Sequence, residues 1–125
     1  MIAKAELAIL DLLWEQGDLT AREIREQIYP DAKKPQHGTV QRLLQRLEKK
    51  GYLSRDRSHS VHFFAATMTR QDYAGHELES LADTLTAGSF TPLITHLVEN
   101  KRISAAEINK LRALLDAHQP LHNAP

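Results

Sequence analysis

The 125-residue chain has no cysteine. That excludes disulfides and any thiolate metal site, and it suits a reducing, cytoplasmic setting. No apolar run approaches the roughly 18 residues a membrane span requires, so membrane insertion is not expected. Residues 1–6 lack a basic stretch followed by an apolar one and do not read as a secretory leader. His-Glu-x-x-His, a glycine-rich phosphate loop and a nucleophile elbow are all missing. Seven histidines are present, but their spacing does not build a metal site. His59 and His62 are an odd number of residues apart, so on a strand they face opposite sides. His118 and His122 straddle Pro120 and cannot share a helix face. The chain therefore reads as a non-enzyme with no metal and no cofactor. Internal repeats and low-complexity segments are absent as well.

Net charge is also zero, yet the charge is unevenly spread. Residues 1–31 hold seven acids and three bases, whereas residues 33–57 hold eight bases and two acids. Residues 69–125 return to a slight acidic excess, seven against five. A basic stripe on a neutral chain is the footprint of a polyanion-binding face.

What is present is helical periodicity. Leu7, Leu10, Leu13 and Trp14 predict a first helix over 4–16, stopped by Gly17. Thr20-Ala21-Arg22-Glu23 is a capping box opening a second helix that runs to about Tyr29, before Pro30. Residues 31–35 read as a loop. Val40, Leu43, Leu44 and Leu47 form the apolar stripe of a third helix over 36–50, closed by Gly51. Two short strands, 52–56 and 61–65, flank the polar turn Arg57-Ser58-His59-Ser60 and predict a β-hairpin. Phe63 or Phe64 is expected to pack on the first helix. Capping signals at Thr69 and Ser104 open two further helices, with a short apolar helix between them. The expected fold class is mainly α with a small β-hairpin: a winged helix-turn-helix domain over 1–68, a helical dimerisation domain over 69–119, and a disordered tail over 120–125.

The third helix carries the functional reading. Its inner face is leucine-rich, and its outer face offers Gln41, Arg42, Gln45, Arg46 and Lys49. The major groove of a DNA duplex admits one such helix; arginine grips guanine with two bonds and glutamine suits adenine. Thr39 lies near the helix start, where hydroxyl and backbone N–H groups can bind phosphate. Lys49 and Lys50, with Arg55, Arg57, Ser58 and His59 of the hairpin, are expected to contact the DNA backbone or a minor groove.

Residues 69–119 are too few to bury a core of their own, yet they are rich in large apolar side chains. Leu78, Leu81, Leu85, Phe90, Leu93, Ile94, Leu97, Ile108, Leu111 and Leu115 are expected to pair two copies. A two-fold dimer would present two reading helices to half-sites about 34–36 Å apart. Two other readings keep the fold: a winged-helix regulator released by a small ligand, and a winged-helix adaptor that docks an acidic protein.

The chain resembles the penicillinase-repressor family, which includes the beta-lactamase, methicillin-resistance and copper-operon repressors. The residues that carry the likeness are Ala5-Glu6-Leu7-Ala8-Ile9-Leu10 with Leu13-Trp14, then Thr39-Val40, Leu44, Arg46-Leu47 and Lys49-Lys50-Gly51. Downstream, Gly88-Ser89-Phe90 and the segment from Ser104 to Leu111 continue it. The resemblance implies a homodimeric repressor of a resistance-type operon that binds a palindromic operator. It also implies a membrane sensor metalloprotease as a partner, cleaving within the dimerisation domain at the junction aligned with His96-Leu97. Better-known members carry Asn-Phe at that junction, and many carry threonines where this chain has Arg42 and Gln45. The copper-responsive members use a C-terminal cysteine cluster, so the absence of cysteine excludes copper sensing by that route.

Overall fold

The computed structural model describes residues 2–31 and 34–118. Its elements are α1 (Lys4–Gln16), β1 (Leu19–Thr20), α2 (Ala21–Ile28), α3 (Lys34–Lys50), β2 (Leu53–Asp56), β3 (Phe63–Ala66), α4 (Arg70–Leu85), α5 (Thr91–Glu99) and α6 (Ala105–Ala117). The chain divides into two compact units, Met1–Leu78 and Glu79–Pro125, with the division inside α4. The expected 120–125 tail lies outside the described residues.

The first unit is a winged helix. Ile9, Leu10 and Leu13 of α1, Ile24 of α2, and Val40, Leu43, Leu44 and Leu47 of α3 close one core with Leu53 and Phe64 from the sheet. Phe64, not Phe63, is the fully buried aromatic. Its register explains why. Phe64 pairs with Leu19 on one side and Arg55 on the other, so alternation turns it inward while Phe63 stays half-buried.

The sheet has three strands in the order β1-β3-β2, all antiparallel. Sequence patterning supplied only the hairpin, because the two residues of β1 are too short to show a period. The hairpin's second strand also begins at Phe63 and not at Val61, which leaves a longer turn. Two helix boundaries move as well. α2 stops at Ile28, with Tyr29 as its cap, because the residue before a proline is disfavoured in helical conformation. α3 begins at Lys34 and not at Gln36, and Pro35 falls in its first turn, where a missing N–H costs nothing.

Capping fixes where the helices begin. Thr20 Oγ1 accepts from the Glu23 N–H at 3.1 Å, and Glu23 Oε1 accepts from the Thr20 N–H at 2.9 Å. Thr69 and Ser104 cap α4 and α6 through the N–H groups of Asp72 and Glu107, at 3.0 and 3.1 Å. α3 closes on Gly51 at φ 86°, with the Gly51 N–H donating to the Glu48 carbonyl and the Tyr52 N–H to the Leu47 carbonyl. That close sends the chain directly into β2. The start of α4 belongs to the first unit: Tyr73 stacks on Trp14 and Tyr52, with centroids 5.7 and 5.5 Å apart, and the Trp14 indole donates to the Met68 carbonyl.

The second unit consists of the end of α4 with α5 and α6. Among its described residues only Ala82 is buried. α5 ends with the same hydrogen-bond pattern as α3: the Lys101 N–H meets the Val98 carbonyl and the Arg102 N–H meets the Leu97 carbonyl. Here the left-handed position, at φ 55°, holds a lysine. Lys101→Gly should therefore raise stability by about 1 kcal/mol, visible as a higher thermal midpoint. An unchanged midpoint would mean that the strain is relieved elsewhere.

Candidate nucleic-acid interface

The inward stripe of α3 is closed to solvent: Val40, Leu43, Leu44 and Leu47 are all buried. That pins the rotation of the helix and turns Arg42, Gln45, Arg46 and Lys49 outward, where all four are exposed. With Thr39 and Leu43 they line one shallow depression along the helix. Thr39 is half-buried there, and Gln41, also half-buried, lies outside this depression. Five of the expected contacts thus share a face, and the two arginines stand one turn apart on it.

The remaining cations are placed differently. Lys50 turns back to α1, where its ammonium lies 3.2 Å from Oε2 and 3.3 Å from Oε1 of Glu6. Glu6 is only 1% exposed. Burial pushes its carboxyl up, but the Ala3 N–H and the Lys50 and Arg46 charges outweigh burial and hold it below the ordinary value.

Arg55 turns inward. Its side chain is 15% exposed, with the guanidinium 4.8 Å above the Phe64 ring and 3.3 Å from Glu48. It does not stand with the outward cations as expected, because strand alternation puts it on the same face as Leu53. Arg57 is 61% exposed and lies 3.4 Å from the other Glu48 oxygen. The Ser58 N–H donates to Asp56 Oδ1 at 2.8 Å and tightens the wing tip. Hydrogen bonds from the Ser58 side chain and backbone lower the Asp56 carboxyl below its usual range. His59 is exposed, edge-on to Phe63 at 6.2 Å.

A second depression adds Arg22, His37 and His62, which sequence reasoning did not select. It lies between α2, α3 and the wing, where these three join Gln41 and Ser60 around Arg55 and Phe64. His37 could have been found from helical spacing, since it lies four residues before Gln41. Arg22 and His62 come together only through the fold.

In the helical segment beyond Tyr73, Leu78, Leu81, Leu85, Phe90, Ile94, Leu97, Leu111 and Leu115 are all exposed, from 40% to 70%. Leu93 and Ile108 are half-buried. Val98 and Leu114, not selected from the sequence, are exposed too. His96 and Leu97 lie inside α5; their carbonyls accept from the Asn100 and Arg102 N–H groups at 3.0 and 2.8 Å.

The penicillinase repressor family profile matches residues 2–117. The chain belongs to that family. Its members are transcriptional repressors and not enzymes, and DNA binding comes with that role. The chain is 25% identical to the penicillinase repressor of Bacillus licheniformis over 119 residues, covering 94% of this chain and 91% of that one. It is 25% identical to the methicillin resistance regulatory protein MecI of Staphylococcus aureus (strain N315) over 115 residues, covering 92% and 93%. It is 32% identical to the transcriptional regulator BlaI of Mycobacterium tuberculosis over 113 residues, covering 88% and 79%. Among solved structures, a MarR family protein from Bacillus stearothermophilus aligns at 21% identity with a TM-score of 0.47, covering 95% of this family member and 76% of that chain. Among the described residues no helix is long and apolar enough to cross a membrane.

Proposed function

We propose that the protein is a homodimeric repressor that lays α3 in the major groove of a two-fold operator, with the wing on the flanking backbone. The observation that carries this reading is the pairing on α3 of a sealed leucine face with an outward face of Arg42, Gln45, Arg46 and Lys49. Arg42, Arg46 and Gln45 read base edges, while Lys49, Arg57, Ser58 and His59 hold phosphates; Thr39, expected at the helix start, is the sixth residue of α3 and lies past its free N-terminal N–H groups. The second helical unit pairs two copies through its exposed leucines and so fixes the half-site spacing. The repressor works in the cytoplasm, where its DNA target lies. The beta-lactamase and methicillin systems named by its relatives point to a resistance-type operon as the target.

Release by a membrane sensor metalloprotease at His96-Leu97 fits this scheme under one physical condition. A protease binds its substrate extended, whereas both residues are held in helical hydrogen bonds. α5 must therefore unwind locally before cleavage, so the cut reports opening of the second unit.

The test combines salt and substitution. Binding to an operator selected from random duplexes should weaken steeply as salt rises, with a slope that counts the phosphates engaged. Arg46→Ala should cost about 1–3 kcal/mol of specific binding and change thermal unfolding little, through the weak, distant pull of Arg46 on Glu6. A variant that binds the selected operator as well as the parent removes Arg46 from the reading set. Binding that ignores salt favours the adaptor reading.

A further inference from the structure

α3 holds a single acid, Glu48. Counted as a charge, it should repel the phosphates that this helix is read to approach, but its carboxylate is already occupied. Oε1 lies 3.3 Å from Arg55 Nη2 and Oε2 lies 3.4 Å from Arg57 Nη2, so each oxygen holds one arginine of the wing. The two arginines have different surroundings. Arg55 sits in β2 opposite Phe64, covered by the sheet and stacked on that ring. Arg57 stands just past the end of β2 and faces solvent. A guanidinium has five N–H donors, so the contact to Glu48 leaves others for a second acceptor.

We propose that Glu48 is a positioning residue for DNA binding: it ties the wing to α3 through Arg55 and aims Arg57 at the DNA backbone. The proposal rests on the reading of α3 as the groove helix. An arginine restrained before DNA arrives has less rotamer freedom left to lose on a phosphate. The wing and the reading helix then meet the duplex as one piece, so the backbone contact of Arg57 is registered with the base contacts of Arg42 and Arg46. The Glu48–Arg55–Arg57 cluster still carries net positive charge, so the carboxylate does not cancel the attraction.

The two views of Glu48 predict opposite signs. As a bare charge, its removal tightens DNA binding; as a positioning group, its removal loosens it. The experiment uses the full chain, a fluorescent duplex of mixed sequence and a selected operator, titrated across a range of salt. Glu48→Gln is expected to weaken binding to both duplexes about 5- to 20-fold and to lower the salt slope by about one, the loss of one phosphate contact. A loss of fold alone would not change the slope of the molecules that still bind. Arg57→Gln, at an exposed site that does not touch the core, is expected to give a similar loss. In that background Glu48→Gln should cost less than it does alone, because both act through one contact. Should Glu48→Gln fail to fold, Glu48→Asp, one methylene shorter and still charged, is expected to give a smaller loss in the same direction, and binding and slope equal to the parent's would overturn the proposal. Equal or tighter binding by Glu48→Gln at unchanged slope overturns the proposal, as does unchanged binding by Arg57→Gln. A parent chain that binds neither duplex overturns the DNA reading, and the proposal falls with it.

Discussion

Ile94→Asp made together with Leu115→Asp is expected to turn the proposed dimer into a monomer and to weaken operator binding by about 100-fold or more. Ten large apolar side chains, nine on α4, α5 and α6 and Phe90 at the cap of α5, are exposed in the single chain. So many exposed large apolar side chains mark an interaction surface, and burying each contributes about 1.5–3 kcal/mol. In the proposed two-fold dimer each substitution would enter the interface twice, which doubles the damage. A carboxylate buried there must be paired or must carry the desolvation cost. Neither position contributes to the core of the first unit, so the winged helix should stay folded. Operator binding then falls because the second half-site is no longer delivered at high effective concentration. Sedimentation equilibrium and titration of a selected operator read the two effects separately. A variant that still sediments as a dimer places the self-contact elsewhere. A true monomer with parental operator affinity removes the two-fold operator.

The long periodic segments were the most legible part of the sequence. α1 and α3 carry four-residue apolar stripes; in α3 all four marked residues are buried, whereas in α1 Leu10 and Leu13 are buried, Leu7 and Trp14 only half-buried, and Ile9 is buried though the spacing did not mark it. Two-residue β1 could not be read, since no pattern exists at that length and its pairing with β3 is a long-range fact. At the candidate interface, Arg42, Gln45, Arg46 and Lys49 followed from helical phase alone. Charge alone marks Arg55 as an outward cation, and strand parity overrides it. Leu53 is buried, Ser54 exposed and Arg55 mostly covered, so parity from Leu53 turns it inward. Glu6 had a comparable signal. It lies three, four and seven residues before Ile9, Leu10 and Leu13, on the buried stripe of α1. An acid in that phase demands a cation, but nothing local identifies Lys50, 44 positions away.

That pair sets the other large effect. Lys50→Ala is expected to lower the stability of the first unit by about 2–4 kcal/mol, and Glu6→Gln by only about 1. The asymmetry comes from burial: Glu6 is 1% exposed, while the Lys50 side chain is 44% exposed. Without Lys50, a carboxylate is left inside with the Ala3 N–H, 2.9 Å away, and the more distant Arg46 charge. Without the Glu6 charge, an ammonium is left that water already solvates, and the glutamine oxygen can still accept from Ala3. The pH dependence follows from the lowered carboxyl. Its folded value lies below its ordinary 4.5, so its stabilisation is complete above about that pH and is lost as pH falls through the folded value. Lys50→Ala strips out a lowering charge and its hydrogen bond but keeps the burial, so acid unfolding should begin at higher pH than in the parent. Glu6→Gln has no carboxyl to titrate and should lose that part of the acid response. Urea unfolding across pH checks both, and equal costs for the two variants would contradict the burial argument. The same pair bears on DNA, because Glu6 holds back a cation at the end of the reading helix. If Lys50 also meets phosphate, Glu6→Gln frees it, and folded Glu6→Gln protein should bind mixed-sequence duplex more tightly than the parent, whereas Lys50→Ala should bind it less tightly.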